Sequence, residues 1–278
     1  MPNLKDWIGR TESAEDRIVP TPYAALAATL DRESARPGTG AALPPLWHWL
    51  YFLPLARQSD IASDGHPKRG GFLPPVALPR RMWAGGRLAF GEPLRIGDEA
   101  RRVSTIESVE EKTGRSGSLV FVTVRHEIGR PGAPASITEH QDIVYRGQAQ
   151  AGEAPPAKAA PAHAAWERQW IADETFLFRY SALIFNAHRI HYDRRYVTEV
   201  ERYPGLIVHG PLIATLLVEL LREKMPRARV AAFEFRAVRP LFDGRPFFAC
   251  GEPQGKAIDL WARDHEGALC MQARATID

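Results

Sequence analysis

Cysteine is nearly absent from the 278-residue chain: Cys250 and Cys270 are the only two. They form no Cys-x-x-Cys pair and cannot build a zinc site by themselves, so a reducing, cytoplasmic setting is expected. Long apolar runs are also lacking. The longest, GLIVHGPLIATLLVELL over 205–221, contains His209, Gly210, Pro211 and Glu219 and falls short of a membrane span. The opening stretch, MPNLKDWIGRTESAEDR, has no apolar signal core and carries acidic residues early, so neither export nor membrane association is expected. Charge of one sign is missing as well: 36 basic against 33 acidic residues leave a net +3, with no basic run interleaved with aromatics, which argues against a nucleic-acid partner. There is no Gly-x-Ser-x-Gly elbow and no P-loop. RPGTGAAL (36–43) has two glycines in Rossmann spacing but no third, and Pro44 and Pro45 follow it, so it reads as a loop.

What remains is an ordinary globular composition, 45% hydrophobic and 25% charged, in a chain long enough for a real core. Residues 147–163, GQAQAGEAPPAKAAPAH, have no periodicity that could bury a face and read as a linker. They divide the chain into an N-terminal half, 1–146, and a C-terminal half, 164–278. In the C-terminal half, ETFLFRY (174–180) reads as a strand. A helix is predicted from Gly210, where Leu212, Ile213, Leu216, Leu217, Leu220 and Leu221 recur at helical spacing between Pro211 and Pro226. Strands follow at 228–238, 246–251, 257–262 and 268–276. The N-terminal half repeats the order: a helix over 21–33 with Thr21 as N-cap and Pro22 in first position, then strands at 81–90, 100–112, 118–128 and 137–146. The glycines of GGFLPP (70–75) and MWAGG (82–86) read as structural. A helix followed by an antiparallel meander, twice, is an α+β layout in which each sheet wraps a helix.

The densest polar cluster, FNAHRIHYDRRY (185–196), lies between two strongly apolar segments. Polar groups set among core-forming elements need partners or a purpose. Three readings are open on spacing alone: a solvated loop, a metal site using His188, His191 and Asp193, or an acid–base centre. No HExxH-type motif accompanies the histidines, so no metal is expected. In the second cluster, YPGLIVHGPL (203–212), the long helix begins. Its first amides, of Gly210 and Leu212 on either side of Pro211, have no internal partner and could hold a developing negative charge. His209 could join them or be a packed, hydrogen-bonded core histidine.

FRYSALIFNAHRIHYD followed by YPGLIVHGPL resembles the hydratase-2 signature of the MaoC-like hotdog superfamily, in which an Asp-x-Asn-Pro-x-His-type loop precedes a Val-His-Gly helix start. PRRMWAGGRLAF, GRSGSLVFVTVRHEI and HQDIVYR in the first half also look like its fused double-hotdog branch, which includes itaconyl-CoA and mesaconyl-C(4)-CoA hydratases and hydroxyacyl-thioester dehydratases of type 2. The resemblance implies a double hotdog and a hydro-lyase without a cofactor, coenzyme A being part of the substrate. His191 falls on the family's catalytic histidine. Asn186 stands where the family has its catalytic aspartate, His188 stands where it has asparagine, and the motif's proline is lost. Asparagine cannot take a proton. The expected mechanism therefore has His191 as the sole strong base, Asn186 orienting the water, Asp193 steadying the imidazole and Gly210 N–H holding the thioester enolate.

The same resemblance puts a C5 dicarboxyl-CoA, itaconyl or mesaconyl, first among substrates and a straight-chain 3-hydroxyacyl thioester second. A free carboxylate needs a cation, and Arg179, Arg189, Arg194 and Arg195 are the candidates near the cluster. Coenzyme A is expected along the seam between the halves, with the first half closing the sheet and shaping the tunnel, and the chains are expected to assemble as homodimers or higher oligomers. A non-catalytic acyl-CoA binder and a thioesterase are the competing classes, because a fold does not decide a reaction.

Overall fold

The computed structural model describes residues 3–32, 37–114, 117–147 and 157–278. One antiparallel sheet of ten strands runs through the molecule in the order β1-β3-β4-β5-β2-β7-β10-β9-β8-β6. Its first five strands are β1 (Thr11–Arg17), β2 (Arg80–Phe90), β3 (Glu99–Gly114), β4 (Gly117–Gly129) and β5 (Ile137–Arg146). The other five are β6 (Trp166–Ile171), β7 (Val230–Ala237), β8 (Pro246–Gln254), β9 (Ala257–Asp264) and β10 (Leu269–Ile277). The two halves meet where β2 pairs with β7, from Gly85 opposite Arg236 to Ala89 opposite Ala232. A β-bulge falls between Trp83 and Gly85. A Cβ on Gly85 would lie 2.6 Å from the carbonyl oxygen of Phe235, so the seam closes only around a residue without a side chain.

The helix α3 (Gly210–Lys224) is the core of the second half. Every residue from Leu212 to Leu221 is buried, because β6, β8, β9 and β10 curve around it. Pro211 suits its first turn, and Pro226 lies just beyond its end. Two polar residues are buried on it. The Thr215 hydroxyl donates to the Pro211 carbonyl at 2.8 Å. The Glu219 carboxylate accepts from Trp47 Nε1 at 2.9 Å and pairs with Arg32 and Arg222, so a charge that would be costly alone is compensated.

Eight predicted strands are present as β2–β5 and β7–β10. ETFLFRY is not a strand: it lies in helix α2 (Glu174–Leu183), capped by Asp173, whose Oδ1 accepts Phe176 N–H at 2.7 Å. Burial of Leu177, Tyr180 and Ser181 on one face follows helical spacing. The first helix, α1 (Pro20–Thr29), starts earlier than predicted, with Val19 as N-cap and Pro20 in the first turn, so Thr21 is not the cap. It is shorter than α3, and the segment from Leu43 to Phe52 packs into the core beside it, with Trp47 and Leu50 buried. Strands β1 and β6 form the sheet's two edges. Of the predicted linker, 148–156 lie outside the described residues, and its end is tied down: Ala160 N–H donates to Gly267 O and Leu269 N–H to Lys158 O.

Candidate active site

A cavity of about 990 Å³ opens beside the β2–β7 seam, and both halves line it. From the second half come Asn186, His188, His191 and Gly210; from the first come Asp64 and His66. Two loops bring these groups together. Arg189 N–H donates to the Asp64 carbonyl at 2.9 Å, and Arg189 Nη1 donates to the Ser63 carbonyl at 2.9 Å. At Gly65 the loops come closest: φ is +91°, and a Cβ would fall 1.8 Å from the Ala187 carbonyl oxygen. Only glycine supports that approach.

His191 is 7% exposed. Its Nδ1 lies 2.7 Å from the Ile207 carbonyl, which can only accept, so Nδ1 carries the proton. That leaves Nε2 as a lone pair, with no hydrogen-bond partner among the described residues, on a ring that lines the cavity. The ring stacks on His209 at 3.7 Å between centroids and 17° between planes. His209 is 1% exposed, and its Nε2 lies 2.7 Å from Ser181 Oγ. It is a core support for His191 and does not line the cavity. Burial lowers the His191 pKa to about 4, with the Ile207 bond opposing part of the effect. Burial holds His209 well below its usual range too.

Asn186 Oδ1 accepts His188 N–H at 2.9 Å, which leaves the side-chain NH₂ to donate. The His188 imidazole lies 3.8 Å from that of His66 and 5.5 Å from that of His191. Its pKa falls to about 2, through burial first and then the neighbouring His66 and His191. His66 Nδ1 lies 3.0 Å from Asp64 Oδ2, and burial still lowers its pKa. In Asp64 the upward push of burial is overcome by the His66 side chain and N–H, which hold the carboxyl well below the carboxylate range.

Asp64, His66 and His188 are also the residues that could hold a metal ion, with donor atoms all within 4.8 Å of one another. Donors of a zinc-type site at about 2.1 Å from the ion sit closer together than that limit, and the His66 and His188 rings face each other at a 38° tilt.

Several predicted roles are corrected. The Asp193 carboxylate does not steady His191; it holds Arg189 at 2.7 Å and accepts Tyr196 N–H at 2.9 Å. Leu212 is 0% exposed and does not line the cavity, whereas Gly210, Pro211 and Ile213 at the helix start do. None of the four proposed arginines lines the cavity. Arg189 is taken by Asp193, Arg194 by Glu174 and Asp243, and Arg195 by Glu199, while Arg179 is exposed on α2. The arginines that do line it include Arg80, Arg81 and Arg102. Asp64 and His66 were missed, and their sole trace in the sequence is Asp-Gly-His inside a proline- and glycine-rich stretch.

Residues 46–243 match the family model of hydroxyacyl-thioester dehydratase type 2. The chain is 51% identical over 268 residues to mesaconyl-C(4)-CoA hydratase of Chloroflexus aurantiacus, covering 96% of this chain and 95% of that one. The chain belongs to the type 2 hydroxyacyl-thioester dehydratase family. The solved structure of HtdX from Mycobacterium tuberculosis is similar with a TM-score of 0.69 at 17% identity, over 96% of this chain and 99% of that one. A conserved hypothetical protein of the same organism, described as having a double hotdog fold, aligns with a TM-score of 0.60 at 11% identity, over 98% and 96%. These likenesses establish the fold of this family member as a double hotdog. Among its described residues no helix is long and apolar enough to cross a membrane.

The histidines give this family member a predictable acid limit. Unfolded histidine titrates near 6.5, whereas His191 and His188 stay neutral in the fold to about 4 and about 2. Between those values the unfolded chain binds more protons, so stability falls as pH drops below about 6.5. His191 alone accounts for a loss on the order of 2 kcal/mol between pH 7.5 and 5. Urea unfolding at the two pH values should show at least that loss, and equal midpoints would contradict the buried neutral assignment.

Proposed function

We propose that the protein hydrates an enoyl-CoA thioester, with mesaconyl-C(4)-CoA as the first substrate and citramalyl-CoA as the product. The observation that carries this reading is the His191 tautomer: Nδ1–H fixed on Ile207 O, and a free Nε2 lone pair turned to a cavity that also holds Asn186 and Gly210. A water between the two loop residues would accept from the Asn186 NH₂ and donate to His191 Nε2. As its oxygen bonds to the β carbon, His191 takes its proton. The α carbon becomes nucleophilic, and the thioester oxygen gains charge facing the Gly210 N–H at the positive end of α3. His191 then returns the proton to the α carbon, so one base serves both steps and atoms balance. Dehydration runs the same path backward. Asn186 cannot share the proton as an aspartate would, which places the whole transfer on His191.

The 51% identical hydratase supports the C5 dicarboxyl group, with itaconyl-CoA as its isomeric alternative. The family description favours a second reading, dehydration of straight-chain 3-hydroxyacyl thioesters. Purified protein should be incubated separately with mesaconyl-C(4)-CoA, itaconyl-CoA and crotonyl-CoA, following enoyl-thioester absorbance, free thiol and product mass. Gain of one water with the thioester intact is the expected result, fastest on mesaconyl-C(4)-CoA. Release of free CoA thiol would make the protein a thioesterase, and binding without turnover would make it a carrier.

A further inference from the structure

The triad of Arg81, His66 and His188 has no part in the proton transfer, yet it borders the base. Arg81 lines the cavity and has no carboxylate partner among the described residues, whereas its neighbour Arg80 is paired with Glu201 at 2.9 Å. The Arg81 charge bears on Tyr145 and on both His66 and His188. The His188 ring makes no hydrogen bond to any described residue and lines the cavity, where the His66 ring lies against it at 3.8 Å with a 38° tilt. His66 is aimed by Asp64 behind it. Asp64 is the carboxylate of this cluster, within 4.8 Å of the ring nitrogens of both histidines and bonded to His66, which leaves Arg81 as the cation there without a carboxylate partner among the described residues.

We propose that Arg81, His66 and His188 form a subsite for the free carboxylate of a dicarboxylic acyl group, one attached to the very carbon that water attacks. The substrate class rests on the hydratase reading above. The geometry supplies the distance argument. A water held about 2.8 Å from His191 Nε2 attacks a carbon about 3 Å further on, and a carboxylate on that carbon is one bond away. The His188 ring, 5.5 Å from the His191 ring, borders that position. The phosphates of coenzyme A are separated from the thioester by the pantetheine arm and cannot reach the same place. A plain alkyl group there would strip water from a guanidinium and two imidazoles and return no hydrogen bond, which disfavours it.

The carboxylate would accept from the Arg81 fork. The His188 ring, which no described residue engages, would donate a second hydrogen bond, with the His66 ring packed against it at 3.8 Å.

Saturated thioesters test the subsite without turnover. Succinyl-CoA carries a carboxylate on its β carbon and butyryl-CoA carries a methyl group there. Calorimetric titration of the wild type should give a Kd for succinyl-CoA lower by at least about 30-fold. Arg81→Met and His188→Phe should each bring that ratio below about 3, and Arg81→Lys should keep part of it. The butyryl-CoA affinity of each variant reports whether its cavity is intact. A wild-type ratio near one, or a ratio that neither substitution moves, would overturn the proposal. Loss of hydratase turnover on every substrate, alongside a large and Arg81-dependent ratio, would refute the hydratase reading while leaving the subsite standing.

Discussion

His191→Ala should lower kcat for hydration by about 10³-fold or more, toward the upper end of what one acid–base group contributes. The expectation is large because His191 has its Nδ1–H fixed on Ile207 O and its Nε2 unpaired beside Asn186, whereas the other imidazole next to it, His188, has its ring 5.5 Å away. KM should change little, since the imidazole contacts the water and not the acyl-CoA, so kcat and kcat/KM should fall together. Truncation removes a ring that donates only to the Ile207 carbonyl, and the fold should persist, as near-UV circular dichroism would verify. In the wild type, kcat/KM should stay level from neutral pH downward and decline as His191 is protonated near pH 4. A pH profile centred near 6.5 would mean that the imidazole is solvated in the working enzyme. A variant retaining a tenth of wild-type kcat would place the base elsewhere.

The largest expected effect on stability lies in the first half, at Glu139. This carboxylate is 1% exposed on β5. It accepts from His48 Nε2 at 2.9 Å, Trp49 Nε1 at 3.0 Å and Gln141 Nε2 at 2.9 Å. Burial pushes its pKa upward, but the His48 bond and charge outweigh that and hold it at about 2. Trp49 in turn packs edge-on against Trp83 at 5.0 Å, beside the β2–β7 seam. Glu139→Ala would strand the buried His48 donor and the half-buried Trp49 and Gln141 donors at the cavity wall. Breaking a buried, hydrogen-bonded charge in this way costs about 3–5 kcal/mol, equivalent to roughly 6–15 °C in Tm for a domain near this size. Glu139→Gln keeps one acceptor and should lose less. Urea unfolding with an unchanged m-value checks both, and a loss under about 1 kcal/mol for Glu139→Ala would show that the network is not coupled to the fold.

What could be read from the sequence follows from where each element sits. Strands β4 and β10 alternate over most of their length between a core face and an exposed or half-buried one, so their period of two is written in the residues. β1, TESAEDR, escaped because it is an edge strand whose residues are mostly exposed, leaving polar composition without a pattern. β6, WERQWI, alternates but is only six residues long and directly follows the linker. ETFLFRY was misread because its aromatics favour strands, while the deciding signal was the single capping residue Asp173. His191 and Gly210, singled out in a compact, recognisable motif, both line the cavity. Asp64 and His66 were not singled out, because their significance depends on a contact with a loop of the other half that no local spacing encodes. The four arginines failed for the converse reason: closeness to the motif along the chain put them on the outer side of the loop, whereas Arg81 reaches the cavity from β2.

The most direct test of the central claim is incubation of wild-type protein and His191→Ala with mesaconyl-C(4)-CoA in ¹⁸O-labelled water, followed by mass spectrometry of the intact thioester. The account predicts one ¹⁸O in the acyl group of citramalyl-CoA, placed on the β carbon by fragmentation, with no free CoA thiol and no product from the variant. Label appearing in a released carboxylic acid, or label incorporated equally by His191→Ala, would contradict it.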